Sequence, residues 1–303
     1  MSSDRFRKIG YSLTRVIGAK NYARLRNLIK IGAPLHLENP RTFSDLVQRR
    51  MLFEHTDALS WTCDKEAMKE HVAARDVPVK IPDTLLFAPN LEALKYFNVP
   101  GDWVIKPNNS SGAVWFGSGA IDESELARIT NYFHSHVTPF DYTGEWAYSQ
   151  ARTGYIVESL LAEPPLPDYK VFVFHGFAVF VDVHTDRGID RHVTPFDREW
   201  NQIEHGKKAP RSDTPIPKPA NLETLLECAE KIADGYDFMR VDFYLVNDEI
   251  YFGETTPYPG SGTVRMAPAF DSWLGGLWLS HSKDDVCQKY PEISRFQVPQ
   301  NGE

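Results

Sequence analysis

The stretch RVDFYLVNDEIYFGETTPYPGSG, residues 240–262, constrains this chain more than any other. Apolar and polar residues alternate from Val241 to Val246 and again from Ile250 to Glu254, the period of two that a half-buried strand imposes. Asn247-Asp248 interrupts the run where a hairpin would turn. Asp242 and Glu254 then lie on neighbouring strands, with a glycine-bracketed loop after them. Such a pair offers hard oxygen ligands to Mg²⁺, the ordinary partner of transferring phosphates. Register decides whether the pair can act together. A tight two-residue turn with strict alternation sends the two acids to opposite faces. A three-residue loop or a bulge brings them to one face. The competing reading is a surface hairpin carrying two solvated acids, since charged side chains are mostly exposed.

A chain of 303 residues can bury a sizeable core and divide into two lobes. Its formal charge of −8 argues against general nucleic-acid binding, which needs a basic footprint. The charge is uneven: residues 1–30 hold eight basic residues (Arg5, Arg7, Lys8, Arg15, Lys20, Arg24, Arg26, Lys30) against Asp4, leaving 25 basic and 40 acidic residues, a net −15, for the remainder. A basic N-terminal helix suits an anionic membrane surface or an acidic partner, or simply a solvated face packed on the domain behind it. Cys63, Cys228 and Cys287 show neither disulfide nor metal spacing. No signal peptide is visible and no apolar run reaches the ~18 residues of a membrane span, so a reducing cytoplasm is the expected compartment.

Strand pairs alternating with single helices point to α+β lobes rather than a doubly wound sheet. The expected organisation is a helical region over residues 1–60, a first lobe over 61–157 and a second over 158–303. A short helix is expected from about Asp64 to Arg75, and strands at Gly101–Lys106, Ala113–Gly117, Tyr155–Glu158, Tyr169–Phe174 and Phe177–Val183. Asp122 and Glu125 have capping-box spacing ahead of a helix. The polar, proline-rich segment 184–219 reads as a long loop over a site. Asn221 is placed to cap an amphipathic helix carrying Leu222, Leu225, Leu226, Ala229 and Ile232, which Gly235 ends.

Three further pieces become informative beside a magnesium-bearing hairpin. In WVIKPNNSSG (103–112) Lys106 ends a strand before a small turn whose N–H groups could meet phosphates, although no Walker A spacing is present. A plain hairpin turn is the alternative. In DKEAMK (64–69) Lys65 opens a helix where the dipole favours anions, so it lacks an obvious structural motive. In YIVESLLAEPPLPDYK (155–170) a strand ending in Glu158 enters an apolar link suited to an adenine, with backbone groups of Ser159–Leu161 on the base edge and Asp168 near ribose hydroxyls. The aromatics Trp115, Phe116, Tyr142, Trp146, Tyr148 and Trp200 could line an acceptor pocket or form lobe core.

In this order the pieces resemble the ATP-grasp superfamily, in which two α+β lobes clamp ATP. DYKVFVFHG, FDREW, FMRVDFYLVNDEIYFGETTPYPGSG and the upstream NPRTFSDLVQRRMLFEHTDAL and DKEAMKEHV are similar to its TupA-like branch over roughly residues 38–275. The resemblance implies that Lys65 and Lys106 meet ATP phosphates beneath a loop from Asn108 through Ser110 and Ser111 to Gly112. It implies Glu158, Ser159 and the backbone of Leu160 at adenine, Asp168 at ribose, and Lys170 and Arg187 toward the triphosphate or the acyl substrate, with Arg191 in the same group. Arg240 corresponds to a phosphate-contacting arginine, and Asp242 and Glu254 to ligands of Mg²⁺, two ions in the usual form. Thr256 stands where such proteins carry a third ligand, ordinarily asparagine.

The activity implied is ATP-dependent joining of a small carboxylic acid to an amine, with amino acids, uronic acids or peptides as substrate classes. It would pass through an acyl phosphate and release ADP and phosphate. The turn Gly260-Ser261-Gly262 would offer N–H groups to a tetrahedral oxyanion, and Arg265 with Arg240 a bidentate grip on a substrate carboxylate. His184 and His192 are candidate bases. A phosphotransferase acting on a hydroxyl, or a non-catalytic nucleotide-binding module, are the alternatives.

Overall fold

Alternation in the sequence becomes two antiparallel sheets, each in its own unit. The computed structural model describes residues 14, 16–137, 144–186, 190–206 and 209–298. The first unit comprises residues up to Leu25, Met51–His71 and Pro82–Leu161; the second comprises Arg26–Arg50, Val72–Ile81 and the chain from Ala162 onward. The first sixty residues, read as one helical region, are therefore divided between the two units. Among the described residues no helix is long and apolar enough to cross a membrane.

In the first unit, strands β1 (Thr84–Ala88), β2 (Asp102–Pro107), β3 (Trp115–Ser118) and β4 (Tyr155–Ser159) lie in the order β1-β4-β2-β3. Their core is Trp103, Ile105 and Val157 from the sheet, closed by Ile129 and Phe133 of helix Glu123–His136. Asp122 caps that helix as its spacing predicts, its side chain accepting from the Glu125 N–H. Helix Lys65–Ala73 belongs mostly to this unit and begins at Asp64, whose Oδ1 accepts from the Ala67 N–H at 3.0 Å.

In the second unit the sheet order is β7-β6-β5-β8-β9, with β5 Asp168–Phe174, β6 Phe177–Thr185, β7 His192–Asp197, β8 Phe238–Val246 and β9 Glu249–Thr256. The expected long loop 184–219 thus contains a strand. Pro195 hides it from a pattern reading, yet a proline is tolerated because β7 is the edge strand of the sheet, next to β6. Helix Leu222–Ile232 buries Leu222, Leu225, Leu226, Ala229 and Ile232 as expected. Asn221 occupies the cap position but makes no side-chain cap bond there; its Nδ2 donates to the Asp248 carbonyl instead. Phe43, from helix Phe43–Phe53, packs on Phe172, Phe174, Phe238 and Trp278, so this early helix closes the aromatic end of the sheet.

The aromatics read as either an acceptor pocket or lobe core fall in both units. Trp115 packs on Tyr132 and Trp146 on His55 in the first unit, whereas Trp200 stacks on Phe196 in the second. Phe116 is exposed, and Tyr142 lies outside the described residues.

Candidate active site

Asn247 and Asp248, both with positive φ, make the tight two-residue turn between β8 and β9. On its own that turn would separate the two acids. One residue corrects it: Tyr244 pairs with Tyr251 and Phe243 with Phe252, but Asp242 pairs with Glu254. Gly253 is the extra residue of a bulge, and Asp242 and Glu254 therefore share a face. A Cβ at Gly253 would lie 3.0 Å from the Asp242 carbonyl oxygen, so the bulge is tight enough to favour glycine.

Register carries that face across the whole sheet. Asp242 is opposite Lys170 on β5, and Lys170 is opposite Asp182 on β6. One row along, Asp168 lies opposite His184 and Tyr244. In the other direction Arg240 lies opposite Thr256. The face is apolar at the Phe172–Phe238 end and turns polar from Arg240 onward, which is how a buried sheet comes to carry a charged site.

The charges are tightly paired. Arg240 Nε donates to Asp242 Oδ1 and its Nη2 to Asp242 Oδ2, each at 2.6 Å. Its Nη2 also reaches Thr256 Oγ1 at 2.9 Å and Glu254 Oε1 at 3.4 Å. Lys170 bonds Asp242 and holds Asp168 at 2.6 Å. Burial alone would raise the Asp242 carboxyl, but Arg240 and Lys170 outweigh it and hold Asp242 below the usual carboxylate range. Burial likewise disfavours the Arg240 cation, yet Asp242, Glu254 and Asp168 together push its pKa up. Asp182 adds a second buried pair, its Oδ1 lying 3.2 Å from His205 Nε2. His184 sits on the site face, whereas His192, of the opposite parity, lies 3.3 Å from Asp186.

Pro259–Gly262 forms a short turn in which Gly260, Ser261 and Gly262 all have left-handed φ of 55°, 52° and 61°. Helix Ala19–Lys30 and helix Phe43–Phe53 hold this turn from beneath. Arg26 donates to the Ser261 carbonyl at 3.0 Å, and Gln48 Nε2 bridges the Gly262 carbonyl at 3.0 Å and Asn27 Oδ1 at 2.7 Å. A Cβ at Gly262 would strike Gln48 Cγ at 2.7 Å. The Ser261 N–H is engaged within the turn by the Tyr258 carbonyl, and the Thr263 N–H by the Gly260 carbonyl, so the turn's own hydrogen bonds use part of its donor set. Arg26, counted among a basic outer face in the sequence reading, is buried.

In the first unit Glu158 is the centre. It is 3% exposed and paired with both Lys106 and Lys69. Burial pushes its carboxyl up, but the Lys106 and Lys69 ammoniums overcome this and bring its pKa down to about 2. Lys69, which the sequence reading passed over, lies one helical turn after Lys65, and that i,i+4 repeat was the available signal. Lys65 itself does a different job. Its ammonium donates to the carbonyls of Pro107 at 2.8 Å and Ser110 at 2.6 Å, pinning the loop after β2. Asn108 is fully buried, accepting from the Glu66 N–H and donating to the Arg152 carbonyl. Ser110 is buried too, so only Ser111 and Gly112 form an exposed loop tip. At the expected adenine edge, the Ser159 and Leu160 N–H groups already donate to the Asp83 and Asp102 carbonyls. Arg187 lies outside the described residues.

Residues 45–279 match the TupA-like ATPgrasp family, and the chain belongs to it. No curated protein sequence matches the chain. Among solved structures it is similar to D-alanine–D-alanine ligase from Helicobacter pylori, at 16% identity and a TM-score of 0.41, covering 86% of this chain and 68% of that one. It is also similar to the ATP-grasp ligase PsnB solved with a phosphomimetic variant of its minimal precursor, Mg and ADP, at 14% identity and a TM-score of 0.41, covering 77% of this chain and 60% of that one. A third is the L-amino acid ligase from Bacillus licheniformis, at 12% identity and a TM-score of 0.42, covering 74% of this chain and 49% of that one.

The donor set fits a hard divalent cation. Asp242 and Glu254 are directly paired carboxylates on one face, and Thr256 contributes a hydroxyl oxygen on the same strand and face as Glu254. Among the described residues no group of three His, Cys, Asp or Glu side chains is assembled as a metal site.

Proposed function

We propose that the chain is an ATP-dependent carboxylate–amine ligase that forms an amide through an acyl phosphate and releases ADP and phosphate. The observation that carries this reading is the Asp242–Glu254 pair, turned to one face of a buried sheet beside Arg240 and Lys170. Asp242, Glu254 and Thr256 would hold magnesium, one ion or two. When bound, magnesium neutralises phosphate oxygens and favours in-line transfer of the γ-phosphoryl group. Arg240 and Lys170, now held by Asp242, would turn their N–H groups to the phosphates and to the acid being activated.

In the first unit Lys106 and Lys69 would supply positive charge to the nucleotide's phosphates, and the Ser111-Gly112 tip its N–H groups. Lys65 and Asn108 would act by holding that loop in shape. With the Ser159 and Leu160 N–H groups already engaged, the carbonyls around Ser159–Leu161 and the Glu158 carboxylate would read the adenine amino group. Asp168 would take the ribose hydroxyls. The acyl phosphate carbon would then be attacked by the amine, displacing phosphate, with the Gly260 N–H stabilising the tetrahedral oxyanion and Arg265 holding a substrate carboxylate.

The test is product analysis. ADP and phosphate should appear only when Mg²⁺, a carboxylic acid and an amine are all present. AMP and pyrophosphate would overturn the reading, and a stable phosphorylated product formed without any amine would favour a phosphotransferase.

A further inference from the structure

The second unit carries a cationic feature separate from the carboxylate hairpin. A cavity of about 300 Å³ is bounded by Lys30, Arg191 and Arg265, with Thr263, Val193 and Val264 between them. The three cations come from the end of helix Ala19–Lys30, the approach to β7 and the chain just past the Pro259–Gly262 turn. Among the described residues that line this cavity none is a carboxylate, in a chain whose overall charge is −8. Concentrating three like charges against that background creates a local host for anions.

Register places this cavity on the site face. Val193 pairs with His184, and His184 pairs with Asp168. Arg191, just before β7, joins Val193 in the cavity's lining. Strands lie ~4.8 Å apart, so β7 stands three steps, about 14 Å, from β8 and Asp242. The helix that contributes Lys30 also contributes Arg26, one turn earlier, which holds the Ser261 carbonyl at 3.0 Å. Lys30 and the candidate oxyanion turn are thus fixed by one rigid element. Val193 and Val264 offer apolar contact beside the cations, suited to an aliphatic stem.

We infer that this cavity receives the non-reacting end of a ligase substrate and selects molecules that carry there, besides the carboxylate that reacts, a further anionic group, carboxylate or phosphate. The two arginines can grip that oxyanion by bidentate pairing, and the lysine adds a point charge. The inference rests on the ligase reading for what the bound anion is for, but not for whether it binds.

Two experiments test it separately. First, tricarballylate and inorganic phosphate are titrated calorimetrically into the full chain. Tricarballylate should bind saturably, and the double variant Arg191→Gln/Arg265→Gln should weaken it at least tenfold while ATP affinity changes little. Arg191→Lys/Arg265→Lys should restore part of the binding, which separates loss of charge from loss of fold. Second, ADP formation with glycine as the amine is compared for alanyl-alanine, alanyl-glutamate and alanyl-phosphoserine. The doubly anionic peptides should show a KM at least tenfold lower, with the carboxylate and phosphate arms telling which anion is preferred. The double variant should erase the difference. Equal KM values across the peptides, no saturable tricarballylate binding, or an equal loss of ATP affinity in the double variant would each overturn the inference. Tricarballylate binding that needs both arginines, with no ADP from any acid, would overturn the ligase reading and leave the anion cavity standing.

Discussion

Each unit buries a carboxylate between two cations, yet the two sites have opposite charge. In the first, Glu158 alone faces Lys106 and Lys69. In the second, Lys170 and Arg240 face Asp168, Asp242 and Glu254. Counting only these groups, the first site has one cation in excess and the second one anion in excess. A cationic excess accommodates phosphate oxygens, and an anionic excess accommodates a divalent cation. The same local device, a strand-borne acid clamped by basic side chains, therefore presents a different sign in each unit. The difference lies in how many acids the register brings to one face.

The largest effect should come from removing that register. Deleting Gly253 converts the bulge to regular pairing and sends Glu254 to the opposite face. We expect Mg²⁺-dependent ADP formation to fall on the order of 10³-fold, the scale of a lost metal contribution to transition-state charge. Asp242→Asn should reach a similar loss with the backbone intact. Asp242→Ala should in addition destabilise the second unit by roughly 3–5 kcal/mol, because Arg240 and Lys170 are left buried beside an absent partner. Activity retained in the deletion variant would remove the basis for assigning the metal to this hairpin.

Acid titration offers the next test, now of the first unit. Glu158 is held at about 2 against an ordinary glutamate value of 4.5. A depressed acid contributes stability that is present above the unfolded value and lost as pH falls through the folded one. Between about pH 4.5 and 2 the first unit should lose on the order of 3 kcal/mol from Glu158. Asp64 is held at about 2 in the same way: burial raises it, and hydrogen bonds from Arg152 and the Ala67 N–H more than reverse that. Unfolding followed by tryptophan fluorescence should show the dependence, and Glu158→Gln should flatten it across that window. A profile identical in the variant would show that Glu158 is not clamped as described.

Lys69→Ala should raise the KM for ATP by roughly 10–100-fold, since charged hydrogen bonds contribute about 1.5–3 kcal/mol. Lys65→Ala should chiefly lower thermal stability and loosen the loop, because its ammonium is held by the Pro107 and Ser110 carbonyls. Were the two variants to exchange these phenotypes, the assignment of Lys69 to nucleotide charge would fail.

The two regions also differ in how much of them could be read from sequence. Strands β5, β6, β8 and β9 follow from alternation, and the helix at 222–232 from its apolar spacing, since local periodicity records which side is buried. Both acids of the hairpin were legible as a candidate pair, but Gly253 as a bulge was not, because one extra residue leaves no mark on composition. β7 was hidden by Pro195 and by the polar residues around it. His184 was named as a candidate base, and Asp182 sits at the alternate position of the same FVDVHT run. The long-range grips were not legible: Arg26 reaches Ser261 across 235 residues, and only the folded chain joins them. The same holds for Lys69, whose partner Glu158 lies 89 positions away along the sequence.

The smallest effect should be at Asn221, and it bears on the same register that separates the two sites. Asn221 stands at the cap position of helix Leu222–Ile232, where aspartate serves as well as asparagine. Its side chain, however, donates to the Asp248 carbonyl at 3.0 Å, tying the helix start to the turn that sets the β8–β9 pairing. Aspartate has no N–H to donate and would bring a second carboxylate near Asp248. Asn221→Asp should therefore destabilise the second unit by about 1 kcal/mol, at least as much as Asn221→Ala. A capping role predicts the reverse order, with aspartate harmless and alanine costly, so chemical denaturation of the two variants decides between them. Because the turn also positions Glu254 opposite Asp242, the aspartate variant should weaken Mg²⁺ dependence slightly as well. A helix cap alone would leave that dependence unchanged.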